Sequence, residues 1–235
     1  MIRTVMFDLD GTLLPFVQDE FVKLYFKGLC KKLAPLGYDP NKLVKVVWKG
    51  TEAMIMNNGS RTNCEAFWEV FHTAFPDLPD AEPLCDEFYT KEFDEVKACL
   101  KYIPDHKPMI ERLKAAGLNV LLATNPIFPM CAQETRMSWC GLSKSDFALV
   151  TSYENSSFCK PNPEYFTELL AKIGGDPKEC VMIGNSVRED ILSARSLGSE
   201  VFLVDEFIEN PEDLDISEFK KGSPEDAEKF VMSLL

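Results

Sequence analysis

Hydrophobic positions divide the chain into stretches of two kinds. Residues 2 to 8 form a short apolar run that reads as a buried strand. From about residue 18 to 99 almost no strand signal appears, and apolar residues recur at helical spacing instead. Phe21, Leu24, Leu29 and Leu33 mark one such pattern, and Leu84, Phe88 and Val96 another. Asp39-Pro40 supplies an N-cap and a proline suited to a first helical position. Thr62-Asn63-Cys64-Glu65 has capping-box spacing, followed by Phe67, Phe71, Ala74 and Phe75 on one face. Four amphipathic helices in succession predict a small bundle.

From Asp105 onward helix and strand alternate. A helix ends at Ala116-Gly117, and the apolar run Leu118 to Ala123 stops at Thr124-Asn125-Pro126. Further helices are expected at about 129–140, from Pro163 to Gly174-Gly175, and at about 188–197, closed by Gly198. Strands are expected near 147–150, at Cys180–Ile183 ending in Gly184-Asn185, and at Glu200–Val204. Alternation of this kind implies an α/β fold with a parallel sheet and helices on both faces. The first strand cannot pair alone, so it belongs to this sheet and the helical zone is an insertion. The expected division is a core of residues 1–15 and 101–235 and a helical cap of residues 16–100.

Composition narrows the function. At 235 residues, 46% hydrophobic and 27% charged, the chain resembles an ordinary globular protein and has no apolar run near bilayer length. A strand beginning at residue 2 leaves no room for a leader, so a cytoplasmic location is expected, as a monomer or homodimer. The net charge of −13 argues against nucleic acid. The stretch from Asp205 to Leu235 holds ten acids against three lysines and reads as a solvated, partly helical face. The eight cysteines are scattered, with no paired motif for zinc, and read as free thiols in a core.

Candidate chemistry sits after the strands, where parallel sheets place their ligands. Asp8 and Asp10 close the first strand ahead of a Gly11-Thr12 turn. Two acids this close suggest a cation, a shared proton or a nucleophile beside a proton donor; a solvated acidic turn has the same spacing. Thr124 and Asn125 follow the second strand, Lys160 stands before Pro161 at a helix mouth, and Asn185 and Asp190 follow a later strand. Phosphoryl transfer needs such a set: a nucleophile, a metal, donors for phosphate oxygens and a fixed positive charge.

The order Asp8-x-Asp10-Gly11-Thr12, Thr124-Asn125, Lys160-Pro161 and Gly184-Asn185 with Asp190 resembles the haloacid dehalogenase-like hydrolase superfamily. The resemblance spans nearly the whole chain and implies a Rossmann-like three-layer α/β/α core with a small helical cap, using Mg²⁺. It makes Asp8 the nucleophile that forms an aspartyl-phosphate, and Asp10 the general acid and base. Thr124 and the Asn125 N–H would hold phosphate oxygens, and Lys160 would offset charge. Asp8, the Asp10 carbonyl, Asn185 and Asp190 would serve the metal, Asp190 directly or through water. Asp10 favours phosphate over carbon–halogen chemistry. Asn185 departs from the family's usual Asp, which implies weaker Mg²⁺ binding.

The resemblance also points to the loop 57–62 as a reader of the substrate's distal end, with Arg61 as the candidate for an anionic or polyhydroxy group. Trp48, Phe67, Trp68 and Phe71 read as bundle core, and the boundaries near Pro15 and Tyr102-Ile103-Pro104 as hinges. The expected partner is a small phosphorylated metabolite, such as a sugar phosphate, phosphoglycolate or a nucleoside monophosphate. A phosphomutase on sugar phosphates and a non-catalytic binding protein are the alternatives. A phosphonate hydrolase would need a cap lysine, from Lys23, Lys27, Lys42 or Lys49.

Overall fold

The computed structural model describes all residues, 1–235. Six strands form one parallel sheet in the order β3-β2-β1-β4-β5-β6. They are β1 (Thr4–Phe7), β2 (Asn119–Leu122), β3 (Leu149–Val150), β4 (Cys180–Gly184), β5 (Glu200–Val204) and β6 (Lys221–Gly222). Between β1 and β2 run α1 (Gln18–Leu33), α2 (Pro40–Ile55), α3 (Asn63–Ala74), α4 (Glu82–Lys91) and α5 (Lys107–Ala115). Then come α6 (Met130–Ser138), α7 (Glu164–Ala171), α8 (Ser193–Ser196) and α9 (Pro224–Ser233). The expected α/β core with an inserted set of helices is present.

Period-two alternation assigns the two faces of the sheet. Val5, Phe7, Val120, Leu122, Val181 and Ile183 share a core with residues of α5 and α9. Met6, Leu121, Cys180 and Met182 pack instead with Tyr165, Phe166 and Leu169 of α7 and Ala194 of α8. Asp8 continues the parity of Met6, so it leaves the strand on the α7 and α8 side. Phe7 lies in register with both Leu122 and Ile183, which brings the ends of β1, β2 and β4 level.

The inserted helices are bonded to the core rather than standing free of it. Where the chain enters and leaves the insert, the Lys101 N–H donates to the Pro15 carbonyl at 2.8 Å. The Asn63 N–H donates to the Ser156 carbonyl and its buried amide to the Pro126 carbonyl. After α4 a 3₁₀ stretch, Phe93–Cys99, brings Phe93 against Phe21, Tyr25, Phe128 and Trp139. The Trp139 indole N–H donates to Asp94 at 2.8 Å. One apolar cluster therefore runs from β1 through the insert.

Two stretches differ from their sequence-based expectation. The helix expected at 188–197 opens as a π-helical turn, Val187–Leu192, and only then becomes α8. Such insertions are common at functional sites, and apolar periodicity alone does not reveal them. The acidic tail is no purely solvated face. It adds β6, buries Phe219, Ala227 and Val231, and starts α9 with a Ser223–Asp226 capping box. A two-residue strand containing glycine carries no hydrophobic signal. No helix is long and apolar enough to cross a membrane. All eight cysteines are unpaired.

Phe93→Ala empties a fully buried site shared by insert and core, and a loss of about 3–5 kcal/mol is expected. Urea unfolding followed by fluorescence and circular dichroism should show one transition moved to lower denaturant. A displaced insert transition above an unmoved core transition would contradict the shared core. Buried His106 contacts the Leu13 carbonyl through Nε2 at 3.0 Å, and burial lowers its pKa against that contact. As pH falls through about 6.5, the unfolded chain takes up this proton first, so the folded state loses stability. Relative to His106→Gln, the wild type should lose up to about 1.4 kcal/mol per pH unit between pH 7 and 5. Parallel curves for the two proteins would refute this.

Candidate active site

The level ends of β1, β2 and β4 open into a cleft of about 280 Å³ that contains Asp8, Asp10, Thr124, Asn125, Lys160, Asn185 and Asp190. Seven sequence-predicted residues thus meet in one place, although they come from four separate segments.

Asp8 is buried at the end of β1, and its N–H still pairs with the Ile183 carbonyl at 2.9 Å. Its Oδ1 accepts from Lys160 Nζ at 2.8 Å and its Oδ2 from the Thr12 hydroxyl at 3.2 Å. The chain then turns tightly through Gly11 at φ +73°. A Cβ there would lie 2.2 Å from Asn185 Nδ2, so glycine serves both the turn and the close approach of the two loops. Asp10 faces away from Lys160. Its Oδ2 lies 3.2 Å from Nη1 of Arg136, while its Oδ1 has no hydrogen-bond partner in the protein. Burial pushes the Asp10 carboxyl up to about 6, with Arg136 pulling it down and Asp8 adding to the rise.

Lys160 is 2% exposed and sits between Asp8 and Asp190, with Asp190 Oδ1 at 2.6 Å. Burial works against the ammonium charge; Asp190 and Asp8 outweigh it and hold the lysine charged. The lysine's main chain is fixed by Asn125, whose Oδ1 accepts the Lys160 N–H at 3.2 Å. The Asn125 amide also donates to Glu189 at 3.0 Å. Thr124 is buried; its carbonyl accepts from Thr151 at 2.7 Å and from the Tyr165 hydroxyl at 3.0 Å.

Asp190 has both oxygens engaged, one by Lys160 and the other by the Ser186 N–H at 3.0 Å. Its place is therefore beside the lysine. Burial raises its carboxyl to about 7 against the pull of Lys160, with Asp8 adding to the rise. Glycine at 184 makes room for it, since a Cβ there would fall 2.2 Å from its Oδ2. Asn185 donates through Nδ2 to the Phe207 carbonyl at 2.7 Å, and its Oδ1 accepts from Thr12 at 3.1 Å. The first bond orients the amide so that oxygen, not nitrogen, faces Thr12.

Two sequence-based placements fail. Arg61 does not line the cleft; it is paired with Glu69 on α3. Asn57 closes the loop onto the Arg61 carbonyl at 2.8 Å, and Gly59 lies against Phe158, which fixes the loop away from that role. Trp48 is no bundle-core residue, for it is 50% exposed and lines the cleft with Thr51 and Ile55 of α2. None of Lys23, Lys27, Lys42 and Lys49 lines the cleft.

Several residues were missed. Arg136 looks like an ordinary basic residue in the last turn of α6, yet it is fully buried, with its guanidinium 4.8 Å from the Phe128 ring. Glu189 and Glu209 also line the cleft. Burial, then the nearby Asp8 and Glu189, push the Glu209 carboxyl up to about 7. Nothing local marks Arg136 or Glu209. Glu189 was detectable as the neighbour of Asp190, but only the π turn explains why both adjacent acids face inward.

The donor set suits a hard cation. No three carboxylate, thiol or imidazole groups converge on one point. Asp8, the Asn185 amide oxygen and the Asp10 carbonyl instead offer oxygen ligands of mixed charge. Asp8, Asp10, Glu189, Asp190 and Glu209 also outnumber the two cations Lys160 and Arg136. Burial first, and that surplus of negative charge second, raises the carboxyls of Asp10, Asp190 and Glu209.

The curated relatives include two of related description. A phosphoglycolate phosphatase from Agrobacterium fabrum is 28% identical, over 81% of this chain and 75% of its own length. A glyceraldehyde 3-phosphate phosphatase from Methanothermobacter thermautotrophicus is 29% identical, over 87% of this chain and 86% of its own. Among solved structures, a 2-haloacid dehalogenase from Pseudomonas syringae superposes with a TM-score of 0.63, at 21% identity and full coverage of both chains. That likeness speaks to the fold alone. A sequence model described as haloacid dehalogenase-like hydrolase matches residues 2–198, and with the strand-end motifs meeting in one cleft, the chain belongs to that family.

Proposed function

We propose that the protein hydrolyses small phosphate monoesters through an aspartyl-phosphate on Asp8, with Mg²⁺ as cofactor. The observation that carries this reading is the buried Lys160 held against Asp8, with Asp10 across the same cleft. The relatives described as phosphatases support it.

Asp8 is held and aimed by Lys160 and Thr12, as an attacking carboxylate must be. One of its oxygens bonds to phosphorus while the ester oxygen departs with the proton of Asp10. This yields the free alcohol and a phosphorylated Asp8. Asp10, now a carboxylate, takes a proton from water; the resulting hydroxide attacks phosphorus and releases Asp8 and inorganic phosphate. A carboxyl raised to about 6 exchanges protons readily near neutral pH, as both steps require. The Thr124 hydroxyl and the Asn125 N–H would bind the equatorial oxygens, and Lys160 would offset their charge. Mg²⁺, when bound, would neutralise phosphate and carboxylate charge; Asp8, Asn185 and the Asp10 carbonyl would hold it, with Asp190 acting through Lys160 or a bound water.

Asp8→Asn should lower kcat at least about a thousandfold, with no acid-stable phosphoprotein trapped from labelled substrate. Asp10→Asn should cost alkyl phosphates about 10²–10⁴ in kcat, and p-nitrophenyl phosphate markedly less, because that leaving group needs little proton transfer. Equal losses on both ester types would remove Asp10 from the acid role.

Asn185→Asp should act in two opposed ways. It replaces the donor to the Phe207 carbonyl with an acceptor, so the metal-free protein should lose about 1–3 kcal/mol. It also adds a negative ligand, so half-maximal activity should need several-fold less Mg²⁺, and Mg²⁺ should raise Tm by more than in the wild type. An unchanged Mg²⁺ requirement, with an unchanged Tm response, would exclude position 185 from the metal site.

A further inference from the structure

A second chamber opens beside the catalytic cleft, between α1, α2, α3 and the segment after Asn125. Its volume is about 80 Å³. Rings of Tyr25, Trp48, Phe67, Trp68, Phe128 and Tyr153 form much of its wall. Gln18, Trp48, Thr51, Ile127 and Phe128 line both spaces, so the chamber continues the cleft that holds Asp8 and Asp10.

Charge is absent from the chamber, for no Lys, Arg, His, Asp or Glu lines it. Its tyrosine hydroxyls are bonded within the wall. The hydroxyls of Tyr25 and Tyr89 bond to each other at 2.9 Å, and that of Tyr153 accepts from the Trp68 indole at 3.2 Å. Of the two cations at the catalytic cleft, Lys160 is committed to two carboxylates, and Arg136 is fully buried against Asp10. A second anionic group on a substrate would therefore meet no free cation. An apolar ring would meet matching faces, with Trp48 half-exposed at the junction of the two spaces.

We propose, on the phosphatase reading above, that this chamber receives the alcohol portion of the substrate. The enzyme then selects phosphate monoesters of alcohols bearing a single planar apolar ring, and rejects esters carrying a second anionic group. Selection works by what the wall cannot do: a carboxylate placed there loses its water and meets no compensating positive charge.

The test compares kcat/KM for benzyl phosphate, ethyl phosphate and 2-phosphoglycolate, all alkyl esters, with Mg²⁺ present. Benzyl phosphate should exceed ethyl phosphate at least roughly tenfold, and 2-phosphoglycolate should fall below both. Trp48→Ala should collapse the benzyl-to-ethyl ratio toward one, and Thr51→Arg should shift preference toward 2-phosphoglycolate. Hydrolysis of all three esters with equal benzyl and ethyl values, or a wild-type preference for 2-phosphoglycolate, overturns the chamber assignment and leaves the phosphatase reading intact. Without turnover of any ester, that reading falls, and calorimetry with benzylphosphonate and ethylphosphonate judges the chamber separately. About tenfold tighter binding of the benzyl compound sustains it, and equal affinities overturn it.

Discussion

The ammonium of Lys160, buried between Asp8 and Asp190, is the constraint on which the site depends. A lone ammonium in this interior would cost several kcal/mol, and so would either carboxylate without it. The trio therefore has to assemble as a unit, and each member comes from a different segment of the chain. Asp8 arrives on β1, Lys160 from the turn before α7, and Asp190 from the π turn after β4. Fixing them fixes the neighbours as well. Asn125 clamps the lysine backbone, and the Ser186 N–H holds the far oxygen of Asp190. With Glu189 and Glu209 beside them, the carboxyls of this cleft outnumber its cations, a balance that by itself disfavours a phosphate. In the proposed reaction that surplus is a reason for a divalent cation to enter with the substrate.

Parallel pairing turns distance in sequence into proximity. Because Phe7, Leu122 and Ile183 are level, the first polar residue after each strand emerges at the same height. The alternation of side chains then sorts them by face. Asp8 keeps the parity of Met6 and meets the layer that supplies Lys160 and Asp190. Asp10, beyond the end of pairing, is released from that alternation and turns toward Arg136 on α6 instead. Two acids two residues apart thus occupy different electrostatic surroundings, one against a lysine and one against an arginine. In the proposed reaction, nucleophile and proton carrier need that separation, since like surroundings would give them like acidities.

What could be read from the chain follows the range of the forces involved. Strand ends, caps and the order of polar residues after strands are local, and they gave the α/β core, its inserted helices and the meeting of Asp8, Asp10, Thr124, Asn125, Lys160, Asn185 and Asp190. Arg136 was hidden because its neighbours in sequence are those of a surface helix end; only the insert packing over α6 buries it. Glu209 was hidden in a tail whose charge excess reads as solvated. Arg61 was misplaced because a polar loop beside a helix cap says nothing of which way its side chain turns, and Glu69 settles that from one helix away. Trp48 lies on a helix whose periodicity is sound, but periodicity cannot distinguish a core face from a cleft wall.

Core and insert divide the labour of the cleft in physical terms. The core supplies nearly every charge, held by strand ends and their loops. The insert supplies almost none, yet it sets the medium in which those charges act. Burial is the largest influence raising the pKa of Asp10, and that residue shares its cleft with Gln18 of α1 and Trp48 of α2. In the proposed reaction, the wall that would meet an apolar alcohol borders the same cleft as the proton carrier, so the insert shapes both the fit of the substrate and the surroundings of Asp10.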